Sequence, residues 1–216
     1  MVPSKKFSYG KEMRALNFPN VGIIESNLSE EQIDYLKECI ENKGSSCKDA
    51  LVGNIHNSYE LYDKNNWFFD NVLGSNIEHY QKSFVNLGSM VPTTGVHNYI
   101  LSSWWVNYQK KHDFNPFHDH TGVYSFVIWM NVPTDYREQH NISIARGINS
   151  GGAVASDFEF QYINILGQSM SYVYNMDKSV EGKMVFFPSS LKHCVYPFFE
   201  CDETRVSIAG NISLHT

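Results

Sequence analysis

The spacing of apolar positions along this 216-residue chain changes near residue 90, from helical to alternating. Ser29-Glu30-Glu31-Gln32 has the form of a capping box, in which the Ser hydroxyl accepts from the amide three residues on and the Gln side chain reaches back to the Ser amide. Ile33, Leu36 and Ile40 follow at helical spacing, so a helix is predicted from about Glu30 to Asn42, stopped by Gly44. Leu73, Ile77, Tyr80, Phe84 and Leu87 make a second stripe. It predicts a helix from about Asn66 to Asn86 that Gly74 can interrupt. Both stripes are one-sided, and such faces need a sheet to cover.

From about residue 97 the pattern becomes short β-branched and aromatic runs separated by turn residues. Strands are predicted over Asn98 to Tyr108, Tyr124 to Val132, Phe158 to Ile165, Ser171 to Tyr174, Lys183 to Phe187, His193 to Phe199 and Arg205 to Leu214. Seven or eight strands suggest a sandwich or jelly roll. The polar stretch from Pro133 to Ser156, with Gly147 and the Gly151-Gly152 pair, reads as a long excursion with room for one strand. Long loops in compact domains are often functional lids. No repeat or linker divides the chain. The organisation expected is one domain over residues 1–216, with a helical front end (1–90) packed on a mainly β core (91–216).

Composition narrows the class. Hydrophobic residues at 42% and aromatics at 14% are too many for a disordered chain. A net charge of −6 argues against nucleic acid or an anionic membrane surface as the main partner. No apolar run approaches the roughly 20 residues that span a bilayer. Cys39, Cys47, Cys194 and Cys201 show no metal or redox spacing, and Met1-Val2-Pro3-Ser4-Lys5-Lys6 lacks the apolar stretch of a secretion signal. A soluble chain in a reduced, cytoplasmic setting is therefore expected, with Cys194 and Cys201 as small core or loop residues.

Chemistry concentrates in Asn115-Pro116-Phe117-His118-Asp119-His120-Thr121-Gly122. Histidines at i and i+2 of an extended chain share a side, roughly 6 to 7 Å apart at Cα, close enough for one metal ion to bridge them. Asp119 then points away unless the strand is bulged. His193, after the apolar run Met184-Val185-Phe186-Phe187, is a third candidate ligand. Imidazole suits iron, copper, nickel and zinc alike. The chain has nine histidines, and most histidines are surface or hydrogen-bonded structural residues, which suits His56, His79, His97, His140 and His215. Further on, Arg205 and Ser207 share one face of a late strand while Val206 and Ile208 take the other. An Arg on a core-side face needs an anion, and its planar fork suits a carboxylate, with the Ser hydroxyl as a third donor. The bland alternative is an ion pair with Glu200 or Asp202.

The order His118-x-His120, then His193, then Arg205-x-Ser207 resembles the iron(II)/2-oxoglutarate-dependent oxygenase superfamily. The resemblance is strongest to the 2-oxoglutarate oxygenases of marine bacteria and their phages. They share a His-x-His pair, a Ser-led strand (Ser125 to Met130), Phe187-Pro188-Ser189 before the distal His, and an Arg-x-Ser-x-x-x-Asn-Ile ending (Arg205 to Ile212). The match covers about residues 100 to 214, with a weaker echo at Leu51-Val52-Gly53-Asn54-Ile55 and Ser58-Tyr59. It departs at position 120, a carboxylate in most of the superfamily. The metal is then held by His118, His120 and His193, or a bulge brings Asp119 round. The resemblance implies a double-stranded β-helix (jelly roll, cupin-like) with Fe(II) inside one end and 2-oxoglutarate and O2 as cosubstrates. It also implies Arg205 and Ser207 on the far carboxylate of 2-oxoglutarate, and oxidation of a substrate C–H bond with release of succinate and CO2, hydroxylation by default. Tyr108 stands where several members place a Tyr on 2-oxoglutarate, although an aromatic on a strand is usually core.

Two other classes fit the residues: a cupin-like three-His metal enzyme that does not use 2-oxoglutarate, and a jelly-roll binding module without chemistry. The Arg-x-Ser placement favours the oxygenase, since a dicarboxylate demands that Arg. Trp104, Trp105, Tyr124, Trp129 and Tyr172 are not assigned to substrate. Glu200-Cys201-Asp202-Glu203 is expected to turn a hairpin between the strands of His193 and Arg205, setting Phe199 opposite Arg205 and His193 opposite Asn211 so that both functional side chains face inward.

Overall fold

Apolar residues at every second position make strands with one face to bury, and here two sheets bury those faces against each other. The computed structural model describes residues 20–146 and 152–215. The amino-terminal residues read for a secretion signal, and Gly147 and Gly151 of the excursion, lie outside the described residues. In chain order the strands are β1 (Ile24–Asn27), β2 (Asn57–Glu60), β3 (Tyr99–Gln109), β4 (Asn115–His118), β5 (Tyr124–Asn131), β6 (Phe158–Ile163), β7 (Ser169–Tyr174), β8 (Lys183–Pro188), β9 (Lys192–Val195) and β10 (Arg205–Leu214). A six-stranded sheet runs β1-β8-β5-β10-β3-β2 and a four-stranded sheet runs β4-β9-β6-β7, every pairing antiparallel. The fold is the expected jelly roll.

The capping box forms as read: Ser29 Oγ accepts from the Gln32 amide and Gln32 Oε1 accepts from the Ser29 amide, opening helix α1 over Glu30–Glu41. The second helical stripe is broken where Gly74 stands. A π-turn over Phe69–Leu73 precedes helix α2 (Gly74–Ser83), and Asp63 caps its approach by accepting from the Phe68 and Phe69 amides. Leu36, Phe68, Leu73 and Tyr80 from these helices bury against Trp104, Phe126, Phe186 and Ile208 of the six-stranded sheet. The front end is more than helical, because β1 and β2 form the two edges of that sheet. The excursion after Pro133 carries short helices α3 (Tyr136–Gln139) and α4 (Ser143–Arg146) where one strand was expected.

Between the sheets lies a second core of Val127, Trp129, Phe158, Phe160, Val185 and Phe187. The expected hairpin between His193 and Arg205 is not formed. β9 pairs with β4 and β6, β10 pairs with β3 and β5, and the two strands belong to opposite sheets. His193 stands opposite His118 and Phe160, Arg205 opposite Gln109, and Asn211 opposite Ser103 and Ser125. The reason is architectural: from β7 onward each strand crosses to the opposite sheet from the one before it, as jelly-roll connections do, and β9 ends at Val195, well short of Phe199. His193 and Arg205 therefore meet across the sandwich, not along a ladder.

Candidate metal and cosubstrate site

One cavity between the sheets is lined by His118, His120 and His193 and also by Arg205 and Ser207. Strand alternation explains this lining. Arg205, Ser207 and Ala209 of β10, with their cross-strand partners Gln109, Asn107 and Trp105 of β3, all face the cavity. Val206, Ile208 and Ile212 face the helices instead. The loop Leu51-Val52-Gly53 closes one side of the cavity. Gly53 adopts φ +116° there, and an added Cβ would lie 1.8 Å from Asn115 Oδ1.

The three imidazoles form the metal-ready cluster, their candidate ligand nitrogens all within 4.8 Å of one another. Their ring centroids are 5.0 Å (118 to 120), 4.4 Å (118 to 193) and 5.0 Å (120 to 193) apart. His118 and His193 face each other as a β4–β9 pair, while His120 lies just beyond β4, its amide donating to Ser189 O at 2.9 Å. His118 Nδ1 donates to Pro116 O at 2.7 Å and His193 Nδ1 to Leu191 O at 2.9 Å. With Nδ1 holding the proton, each of these two rings keeps its Nε2 lone pair free for a metal. Phe158 stacks on His193 at 5.5 Å and Phe187 meets it edge-on at 5.0 Å. Burial, with the other imidazoles adding to it, pushes the His120 pKa down to about 4 and that of His193 down to about 3. Both are neutral donors at neutral pH. Asp119 is exposed and outside the cluster, so the register shift in β4 between Asn115 and His118 does not turn it inward. Three imidazoles in a partly buried cavity fit a divalent first-row metal, iron(II) among them.

Arg205 is 2% exposed, and among the described residues no carboxylate lies within ion-pair distance of it. The alternative ion pair does not form, since Asp202 pairs with Lys111 at 2.6 Å. Its guanidinium touches only neutral acceptors: Gln109 Oε1 and Thr134 Oγ1, each at 3.4 Å, and Ser156 Oγ. Its Nε–H is buried without a partner, and its plane lies over the Phe198 ring at 5.1 Å. Desolvation lowers its pKa to about 10, so it stays charged at neutral pH. The Asp157 carboxylate acts on it only from beyond ion-pair distance, and a buried charge without a direct partner costs on the order of several kcal/mol. An orphaned donor on such a cation is what an anionic cosubstrate would relieve.

Tyr108 does not join the site. It sits one residue out of phase with Asn107 and Gln109, so its ring faces the opposite side of the sheet, packed at 6.0 Å against Tyr59 with Lys43 Nζ 5.9 Å away. Alternation along β3 decides this, and the spacing that suggested Tyr108 carries no face information. Trp105 and Trp129 line the cavity, whereas Trp104 and Tyr124 belong to the helix-side core. Gln109, Thr134 and Ser156 were not legible as site residues, because nothing in their local pattern ties them to Arg205. The remaining motif residues form a clip: Ser125 Oγ donates to Ser189 Oγ at 3.0 Å or to Asn211 Oδ1 at 2.8 Å, binding β5, β8 and β10 behind the His120 loop.

The sequence family described as "Putative 2OG-Fe(II) oxygenase" matches residues 103–211, just over half of the chain. A Pseudomonas putida prolyl-4-hydroxylase shares the fold at 14% identity and a TM-score of 0.50, covering 91% of this chain and 94% of that one. An oxidoreductase of the 2OG-Fe(II) oxygenase family from Burkholderia pseudomallei does so at 12% identity and a TM-score of 0.50, covering 90% and 86%. No curated protein sequence matches significantly. Among the described residues no helix is long and apolar enough to cross a membrane. With the matched segment spanning all three histidines and Arg205, the chain belongs to the 2OG-Fe(II) oxygenases, enzymes that take iron(II) as cofactor and 2-oxoglutarate and O2 as cosubstrates.

Proposed function

We propose that His118, His120 and His193 hold the iron, that Arg205 with Ser207 holds the far carboxylate of 2-oxoglutarate, and that the enzyme hydroxylates its substrate with release of succinate and CO2. The observation that carries this reading is the single cavity shared by a three-imidazole cluster and a buried, ion-pair-free arginine. Bound iron(II) supplies the redox chemistry: O2, 2-oxoglutarate and a substrate C–H yield succinate, CO2 and C–OH. The protein's part is positional. The carbonyls of Pro116 and Leu191 fix two ring tautomers, Phe158 and Phe187 keep water from His193, and Arg205 sets the reach of the diacid. The use of a third imidazole in place of a carboxylate leaves the site one negative charge short of the usual set.

Two measurements test the reading together. Anaerobic addition of iron(II) and then 2-oxoglutarate should produce the weak visible charge-transfer band of the chelate, and admitting O2 without substrate should release succinate slowly. His193→Ala should abolish iron retention. Unchanged iron content in that variant, or no succinate from wild type under any condition screened, overturns the assignment.

A further inference from the structure

The return of the excursion brings two hydroxyls onto Arg205 from well before it in sequence. Thr134 begins the excursion and Ser156 ends it, and their Oγ atoms are 2.8 Å apart. Thr134 is 7% exposed and Ser156 is fully buried, and both accept from the same guanidinium nitrogen, Nη2. Ser156 also has φ +77°, a left-handed conformation that costs a non-glycine residue about 1 to 3 kcal/mol and persists only where neighbours over-determine it. Those neighbours are visible. The Ser156 amide donates to Pro197 O at 2.9 Å and the Tyr196 amide to Asp157 O at 2.9 Å. The fully buried Asp157 carboxylate is held by His140 Nε2 at 2.7 Å and by the Met176 amide at 3.1 Å. Gln139 bonds Phe199 through both its amide and carbonyl atoms, tying α3 to the same strip. Strain and six anchoring bonds are spent on placing one hydroxyl.

We propose that Thr134 and Ser156 are positioning residues for the cosubstrate. Occupying Nη2, they fix the rotation of the Arg205 guanidinium so that its unpartnered Nε edge faces the far carboxylate. The His140–Asp157 pair holds Ser156 in place. This inference rests on Arg205 being the cosubstrate anchor, and it makes the ends of the excursion part of the 2-oxoglutarate site.

The test is calorimetric binding to the iron(II)-loaded protein without oxygen, using 2-oxoglutarate and, as a chelate with no distal arm, oxalate. Ser156→Gly removes the hydroxyl while suiting the left-handed backbone, and Thr134→Val removes the other at equal volume. Each should weaken 2-oxoglutarate about three- to tenfold, the worth of one neutral hydrogen bond, with oxalate affinity and iron stoichiometry unchanged. Thr134→Ser should restore wild-type affinity, and this pair carries the test if Ser156→Gly does not fold. Equal weakening of both ligands would mean a purely structural role and overturns the proposal. If Arg205→Lys weakens 2-oxoglutarate while the hydroxyl variants do not, the proposal fails and the anchor assignment survives. If Arg205→Lys has no effect, both fall.

Discussion

An imidazole binds a metal only when neutral, and burial keeps His120 and His193 neutral far below their ordinary pKa of about 6.5. In the unfolded chain both take up protons as pH falls through 6.5, but in the fold only near 4 and 3. The metal-free protein should therefore be most stable above about pH 6.5 and lose stability progressively as pH falls below it toward 4. Denaturation midpoints measured from neutral pH down to about pH 5 check this, and a flat profile would contradict the burial of these rings. Arg205→Lys keeps the charge but loses the fork, so 2-oxoglutarate affinity should fall ten- to a few hundred-fold, a range set by charge-assisted bonds of about 1.5 to 3 kcal/mol. Iron binding should be intact. Ser207→Ala should cost about tenfold or less, as read by the same titration. At this scale the sequence was most legible where chemistry sits in consecutive residues. His118, His120, Arg205 and Ser207 stand in local motifs, whereas Tyr108 was misjudged because one residue of phase turns a strand side chain to the other face.

Elements carry these residues, and their ends decide where the side chains go. The turn from His120 to β5 passes through Gly122 at φ +111°, with an added Cβ only 2.8 Å from Ile212 O. Gly122→Ala should cost about 1 to 3 kcal/mol of stability and weaken iron retention, because the turn cannot shift without moving His120. Thermal melts and iron content after gel filtration measure the two effects. Helix α1 was legible to within a residue, since a capping box and a one-sided stripe are both local signals. The edge strands β1 and β2 were not. Each is four residues long, too short for an alternation to show, and each exists because a longer neighbour, β8 or β3, offers it a ladder.

For the molecule as a whole, ligands that bind only the folded state add to its stability. 2-Oxoglutarate at about a hundred times its Kd should raise the unfolding free energy of the iron-loaded protein by about 2.7 kcal/mol. At the same concentration Arg205→Lys should gain about 1.4 kcal/mol or less, while the increment from iron alone is the same in both. Thermal shifts with iron, then with iron and 2-oxoglutarate, separate these terms. An equal 2-oxoglutarate increment in both proteins would remove Arg205 from the cosubstrate site.

Taken alone, the sequence determined the class of fold, most strand limits and the motif residues, because periodicity, turn residues and short spacings are properties of the local chain. Its resemblance to the iron(II)/2-oxoglutarate oxygenases rested on those same short motifs. Only the tertiary structure decided which strands pair. β9 and β10 read as a hairpin but lie in opposite sheets, and pairing depends on what each strand buries, not on proximity in sequence. That crossing brings His193 and Arg205 into one cavity. It also lets Thr134 and Ser156, 71 and 49 residues before Arg205, close on its guanidinium, a contact that no local pattern encodes because packing alone creates it.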